Sequence, residues 1–289
     1  MTGPAENLRS QAEHLSGPLP PLLLAAQRLA ASLALGFHGR RRPGRGEAFW
    51  QYRPYQWGDP SRSIDWRQSA RSDDIFVRET EWSVAASLWF WVDNAPSMNW
   101  RSSKDLPTKA ERAALLTLSL ALLASKAGEQ VTLAGMGNAP SAHESNIVRM
   151  ARTLTAPDRI EGQIQHIPEH AEVILFSDFE VPPEEIETLL AQLTERKVRA
   201  TLVQISDPAE ERFPYQGHVT FTAPDGHLSA KVKDSAALRP AYRKFRKAHK
   251  TAIGEMAARR GWLLHNHRTD HPASTALLAL HAGLTAPPG

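Results

Sequence analysis

The chain of 289 residues contains no cysteine. That absence removes disulfides, cysteine-ligated zinc, iron–sulfur clusters and thiol nucleophiles together, and it fits a reducing compartment. A long uninterrupted apolar run is also lacking. The longest near the start, Leu19 to Leu35, contains Pro20, Pro21, Gln27 and Arg28. It falls short of the roughly 20 apolar residues that a membrane span needs. It does not read as a secretory leader either, because Arg40, Arg41 and Arg42 follow the apolar stretch instead of preceding it. We therefore expect a cytoplasmic protein with no membrane span. Strong charge of one sign is missing too. Lys and Arg number 34 against 31 Asp and Glu, a net charge of +3, which argues against a dedicated nucleic-acid binder. Several catalytic signatures are absent. The arginine-rich stretch Gly39 to Gly46 lacks the Lys and Ser/Thr of a Walker A loop, and no H-E-x-x-H occurs. Ser97 follows Pro96 without the glycines of a nucleophile elbow.

What is present is a globular composition, 42% hydrophobic, enough for a sizeable core. The apolar pattern alternates between strands and helices. Ala86 to Asp93 reads as a continuous buried strand ending in an acid. Thr108-Lys-Ala-Glu111 is a capping box, and the helix it opens runs to Gly128. Val131–Ala134, Val173–Phe176 and Val198–Ile205 read as further core strands, separated by helices at 147–154 and 184–195. A hairpin is expected at 219–222 and 228–232, then a long helix from Asp234-Ser235 to about Arg260, a strand at 262–265 and a helix at 273–282. Strands alternating with helices predict an α/β fold, a mostly parallel central sheet with helices on both faces. The expected organisation is a tail and helix at 1–38, an arginine- and aromatic-rich β segment at 39–82 packed on the core, and the α/β domain at 83–289 with a hairpin insertion near 217–233. Trp50, Tyr55 and Trp66 read as structural within the β segment.

In an open α/β sheet, ligands bind beyond the carboxyl ends of the strands. Two strands end alike here: one gives Asp93-Asn-Ala-Pro-Ser97-Met98, the other Ser177-Asp178. Carboxylates and hydroxyls at one sheet edge suit a hard divalent cation. The same residue types also cap helices and shape turns. Two such acids held close need a cation, a Lys or Arg beside them, or a proton.

Asp93-x-x-x-Ser97-Met98 after a buried strand resembles the first motif of von Willebrand factor type A domains. Further stretches resemble one bacterial group of such proteins, the family called domain of unknown function fifty-eight. They are Gly44-Arg-Gly46-Glu47, Tyr52-Arg-Pro-Tyr55, Gly58-Asp59-Pro60, Ser63-Ile-Asp65-Trp66, Ala70-Arg71 and Val77-Arg78-Glu79. Asp207-Pro-Ala-Glu210 and Phe213-Pro-Tyr215-Gln-Gly217 belong with them. The resemblance covers about residues 36–283. It implies a type A-like core, no established catalytic activity, and partnership with a MoxR-type AAA+ ATPase, for which such proteins are thought to act as adaptors or chaperone-like partners. The type A metal motif is Asp-x-Ser-x-Ser with a Thr from a second loop and an Asp from a third. Here Ala95 stands at the first Ser, no Thr is in place, and Asp93, Ser97 and Asp178 remain. The resemblance thus implies a degenerate metal site that holds magnesium weakly at most.

We expect a non-catalytic protein-interaction module whose partners are the ATPase and a client protein. The expected partner surface is the carboxyl edge: Asp93, Asn94, Ser97, Met98, Trp100, Asp178 and Phe179. Two alternatives stand beside it. One is a divalent-metal-dependent hydrolase using Asp93 and Asp178. The other is a nucleic-acid-binding module using the basic helix with Arg239, Arg243, Lys244, Arg246, Lys247 and Lys250. His265, His267 and His271 are too few in acidic neighbours for a catalytic zinc centre.

Overall fold

The computed structural model describes residues 21–36, 49–55, 66–71, 74–80, 87–156, 164–223 and 226–285. The chain divides into two compact units, one made of residues 39–86 and the other of residues 1–38 together with 87–289.

The smaller unit holds an antiparallel pair, β1 (Phe49–Pro54) and β2 (Phe76–Thr80), with the single-turn helix α2 (Trp66–Ser69) between them. Tyr52 lies opposite Arg78, and the register shifts between Phe49 and Gln51. Ser69 Oγ accepts from the amide of Phe76 at 2.9 Å, tying α2 to the start of β2. Trp66, expected to be structural, is 66% exposed. The Gly39 to Gly46 stretch and the motifs around Gly58 and Ser63 lie outside the described residues.

The larger unit is built on five parallel strands: β3 (Ser87–Val92), β4 (Gln130–Leu133), β5 (Glu172–Ser177), β6 (Arg199–Ser206) and β9 (Leu263–Arg268), in the order β4-β3-β5-β6-β9. The reason β3 lies inside the sheet, between β4 and β5, is visible in its sequence. Leu88, Phe90 and Val92 point to one face and Trp89 and Trp91 to the other, all buried. An element apolar on both sides must be covered on both sides. On the first face lie α1 (Pro21–Gly36), α3 (Lys109–Lys126), α4 (Glu144–Thr155) and α8 (Ala273–Thr285). On the second lie α5 (Pro183–Glu195) and the C-terminal half of α7 (Ser235–Ala258), through Ile186, Leu190, Ile253 and Met256. Between β6 and α7 come α6 (Pro208–Arg212) and the hairpin β7 (Val219–Thr222) and β8 (Ser229–Val232).

The predicted caps are present. Thr108 Oγ1 accepts from the amide of Glu111 and Glu111 returns the bond to the amide of Thr108, so α3 opens on a complete capping box. It closes at Gly128, whose φ of +87° is a conformation that residues with a Cβ rarely adopt. Asp234 caps α7, as expected from sequence, and Gly261 at φ +68° ends it. One boundary differs from expectation. The N-terminal helix α1 is a layer of the α/β core: Leu23, Ala26, Ala30 and Leu33 are buried against α3 and its neighbours, so this helix belongs to the large unit. Among the described residues, no helix is long and apolar enough to cross a membrane.

Candidate functional site at the sheet switch point

From β3 the chain turns outward to β4 and then returns to the other side of β3 as β5. The ends of β3 and β5 therefore form the switch point, where loops diverge and leave a crevice. Register places Val92 beside Phe176, which sets Asp93 level with Ser177 and Asp178 one residue beyond. The two acids expected at one edge do share it.

Each is held by the chain itself. Asp93 accepts from Ser177 Oγ at 2.5 Å through one carboxylate oxygen and from the amide of Ala95 at 2.7 Å through the other. Asp178 accepts from the amide of Glu180 at 3.0 Å and, at 2.7 Å, from the ammonium of Lys109. Lys109 also bonds Glu210. Glu210 spans two tasks, since its second oxygen accepts from the amide of Asp207 at 2.8 Å. Asp207, wholly buried at the end of β6, takes the amides of Ala209 (2.8 Å) and Ser102 (2.9 Å), fastening the β3–α3 loop to the β6 end.

The centre of the site is thus a lysine ammonium between two carboxylates, with Lys109 1% and Asp178 2% exposed. Burial opposes the charge on Lys109, but Asp178 and Glu210 outweigh it and raise its pKa above the ordinary lysine range. Burial raises Glu210 as well, by more than Lys109 beside it lowers it. Lys109 and Glu210 are not among the residues that the sequence points to as the site; Glu210 stands there only within the Asp207-Pro-Ala-Glu210 motif. A signal was available: Lys109 is the first residue of α3, where the helix dipole is positive and a cation is out of place unless acids surround it.

Two further residues correct the expected surface. Met98 is fully buried in the 3-10 turn Pro96–Asn99, and Phe179 is 2% exposed. Phe179 takes φ +53°, which folds the chain back under the rim. Its amide donates to Ser177 Oγ at 2.8 Å and its carbonyl accepts from His249 Nε2 at 2.7 Å, so His249 carries its proton on Nε2. Neither side chain can anchor a partner. Ser97 lies in the same turn, Asn94 is exposed and Trp100 half-buried. Among the described residues, no three His, Asp or Glu side chains are grouped so as to hold a metal ion.

A second cation reaches the neighbouring strand end. Arg112, one turn along α3, donates to the carbonyls of His271 (2.7 Å) and Thr269 (2.9 Å) and to His267 Nε2 at 3.1 Å. A guanidinium only donates, so His267 Nε2 accepts and the ring is neutral. Burial, then the charges of Arg112 and His271, push the His267 pKa down to about 4.

The family described as protein of unknown function DUF58 matches residues 51–252, and the chain belongs to it. Uncharacterized protein Rv1480 of Mycobacterium tuberculosis (strain ATCC 25618 / H37Rv) is 24% identical over 281 residues, 89% of this chain and 85% of that protein. Uncharacterized protein Mb1516 of Mycobacterium bovis gives the same figures. The crystal structure of the conserved hypothetical protein BatB from Bacteroides thetaiotaomicron is similar over 69% of this chain and 97% of that one, with 14% identity and a TM-score of 0.42.

Proposed function

We propose that the chain is a non-catalytic protein-interaction module of von Willebrand factor type A-like architecture, acting in the cytoplasm as adaptor or chaperone-like partner of a MoxR-type AAA+ ATPase. The observation that carries this reading is the Lys109 ammonium between Asp178 and Glu210. A metal-dependent hydrolase needs a cation with exchangeable positions for water and substrate. An ammonium tethered through its own helix neutralises the acids, offers no open position and polarises no water. The switch point is thereby spent on holding three loops in one arrangement, those after β3, β5 and β6. A rigid, loop-built rim with exposed Asn94 and Glu180 and half-buried Trp100 suits recognition of another protein. The ATPase as partner comes from the family resemblance.

The test is affinity capture of the full chain from its native cell, scored for an AAA+ ATPase, with wild type against Asn94→Lys combined with Trp100→Ala. Capture that the double substitution abolishes, in a chain whose melting is unchanged, supports the reading. Capture of no AAA+ ATPase by the wild type overturns it.

A further inference from the structure

Helix α7 is about 36 Å long at 1.5 Å per residue, and its two halves have different surroundings. The C-terminal half packs on the sheet and α5 through Ile253 and Met256. Among the described residues, the N-terminal half is held along one side only. Arg239 donates to the carbonyls of Phe213 and Tyr215 at 3.0 and 3.2 Å. Tyr242 packs on the Phe213 ring with centroids 4.6 Å apart, and Arg246 pairs with Glu180.

The adjoining side of that half carries Leu238, Ala241, Phe245 and Ala248, spaced i, i+3, i+7 and i+10, which is one helical stripe. All four are exposed; Leu238 is 42% and Phe245 63% exposed. Phe245 stacks on His249 at 6.1 Å, and His249 in turn holds the Phe179 carbonyl, so the stripe runs up to the rim of the switch point. Exposed Val181 follows two residues after Phe179.

The stripe is bordered by charge of one sign. Residues 235–250 include Arg239, Arg243, Lys244, Arg246, Lys247 and Lys250 and no acid. Arg239, Arg243, Arg246 and Lys250 are turned to carbonyls or carboxylates of the fold. Lys244 and Lys247 are exposed, and among the described residues neither has a carboxylate partner. Apolar anchors at helical spacing beside unmatched lysines fit one kind of ligand: an amphipathic segment with apolar residues on one face and carboxylates along its edge.

We infer that the outer stripe of α7, Leu238–Ala241–Phe245–Ala248 with Lys244 along its solvent edge and Lys247 one turn beyond Lys244, docks an acidic amphipathic helix of a protein partner. Nucleic acid would use the lysines but would leave Leu238 and Ala241 without a role. The inference rests on the interaction-module reading above for the existence of a partner, and it adds a second surface beside the rim.

The experiment is a fluorescence titration of the full chain with a labelled synthetic peptide, leucines on one helical face and glutamates on the rest. A peptide with lysines for the glutamates and a single-stranded RNA oligonucleotide are run in parallel. Leu238→Ser with Phe245→Ser, and separately Lys244→Glu with Lys247→Glu, should each weaken binding of the glutamate peptide by about tenfold or more. The charge-reversed chain should gain binding of the lysine peptide. Both pairs of side chains are exposed, so melting temperatures should be unchanged and the losses attributable to the surface. Failure of the wild type to bind the glutamate peptide, or binding indifferent to both double substitutions, overturns the inference. So does RNA binding that Lys244→Glu with Lys247→Glu abolishes and Leu238→Ser with Phe245→Ser does not. Capture of the AAA+ ATPase is scored on the same variants. If capture persists while peptide binding fails, only this surface is wrong; if the peptide binds while capture fails, only the choice of partner is wrong.

Discussion

Lys109 and Arg112 stand one turn apart on α3 and meet opposite environments. Lys109 reaches the ends of β5 and β6 and lies between two carboxylates. Arg112 reaches the end of β9 and meets two carbonyls and a neutral imidazole. The compact ammonium is strongly hydrated and tolerates burial only with full counter-charge. The flat guanidinium is more weakly hydrated and can be satisfied by dipoles aimed along its fork. The first arrangement fixes loops through charge and the second through hydrogen-bond geometry. They should therefore respond differently to substitution and to pH.

The largest effect is expected at Lys109. Lys109→Met leaves two buried carboxylates without their cation and should destabilise the fold by about 3–5 kcal/mol at neutral pH, read by urea denaturation. Glu210, already raised by burial, then titrates higher still, so the loss should shrink as the solution is acidified and Glu210 takes up a proton. In the wild type the sign runs the other way. Lys109 is raised above its unfolded value, so its contribution is complete below the ordinary lysine pKa and disappears only as pH rises through the folded one. A Lys109→Met chain as stable as wild type at pH 7 would erase the distinction between the two cations.

The Arg112 end should be the acid-sensitive one. His267 is held neutral with a pKa near 4 against an ordinary 6.5. Its depressed folded value means that stability is fully present above about 6.5 and declines as pH falls toward 4, by up to about 3 kcal/mol. His267→Gln should flatten that slope, measured by melting across the range. Arg112→Met should cost less, about 2 kcal/mol, and should lift the His267 titration seen by NMR, since one of the charges depressing it is gone. No movement of that resonance would sever the link between Arg112 and His267.

Thr108→Ala removes half of the capping box at the start of α3 and should cost about 1 kcal/mol. Because Lys109 follows directly, the same change should loosen the ion cluster as well as the helix. The smallest effect expected is with magnesium. Calorimetry should show no binding tighter than about 10 micromolar, since Asp178 is matched internally. Tight magnesium binding lost in Asp93→Ala would mean that Lys109 yields its place.

Much of the fold was legible because its strands are apolar on both faces and its helices carry caps and stop signals. Ser87–Val92, the Thr108 box, Asp234 and Gly261 all lie within a residue or two of their expected places. The ends of the strands were legible too, since an acid closing an apolar run marks the sheet edge. The composition of the site was not. Lys109 is 69 residues from Asp178 and 101 from Glu210 in sequence, and no local pattern joins them. Helix α6 has five residues, too few for a helical period to register. Met98 and Phe179 follow strand ends, which places them at the rim in sequence, but a 3-10 turn and a left-handed residue fold them inward.

The placement of α1 has a consequence for how the chain is made. This helix belongs to the large unit, yet residues 39–86 separate it from β3 along the sequence. On the ribosome α1 emerges before the smaller unit, with Leu23, Ala26, Ala30 and Leu33 awaiting a partner helix, α3, that is synthesised only after that unit is out. The large unit is a discontinuous folding unit. A fragment beginning at Ser87 would lack one of its own walls and expose the apolar face of α3, whereas excising 39–86 and rejoining the ends would leave that wall in place. Solubility of the spliced chain alongside aggregation of the shorter one would mark the intervening residues as an insertion into an already complete core.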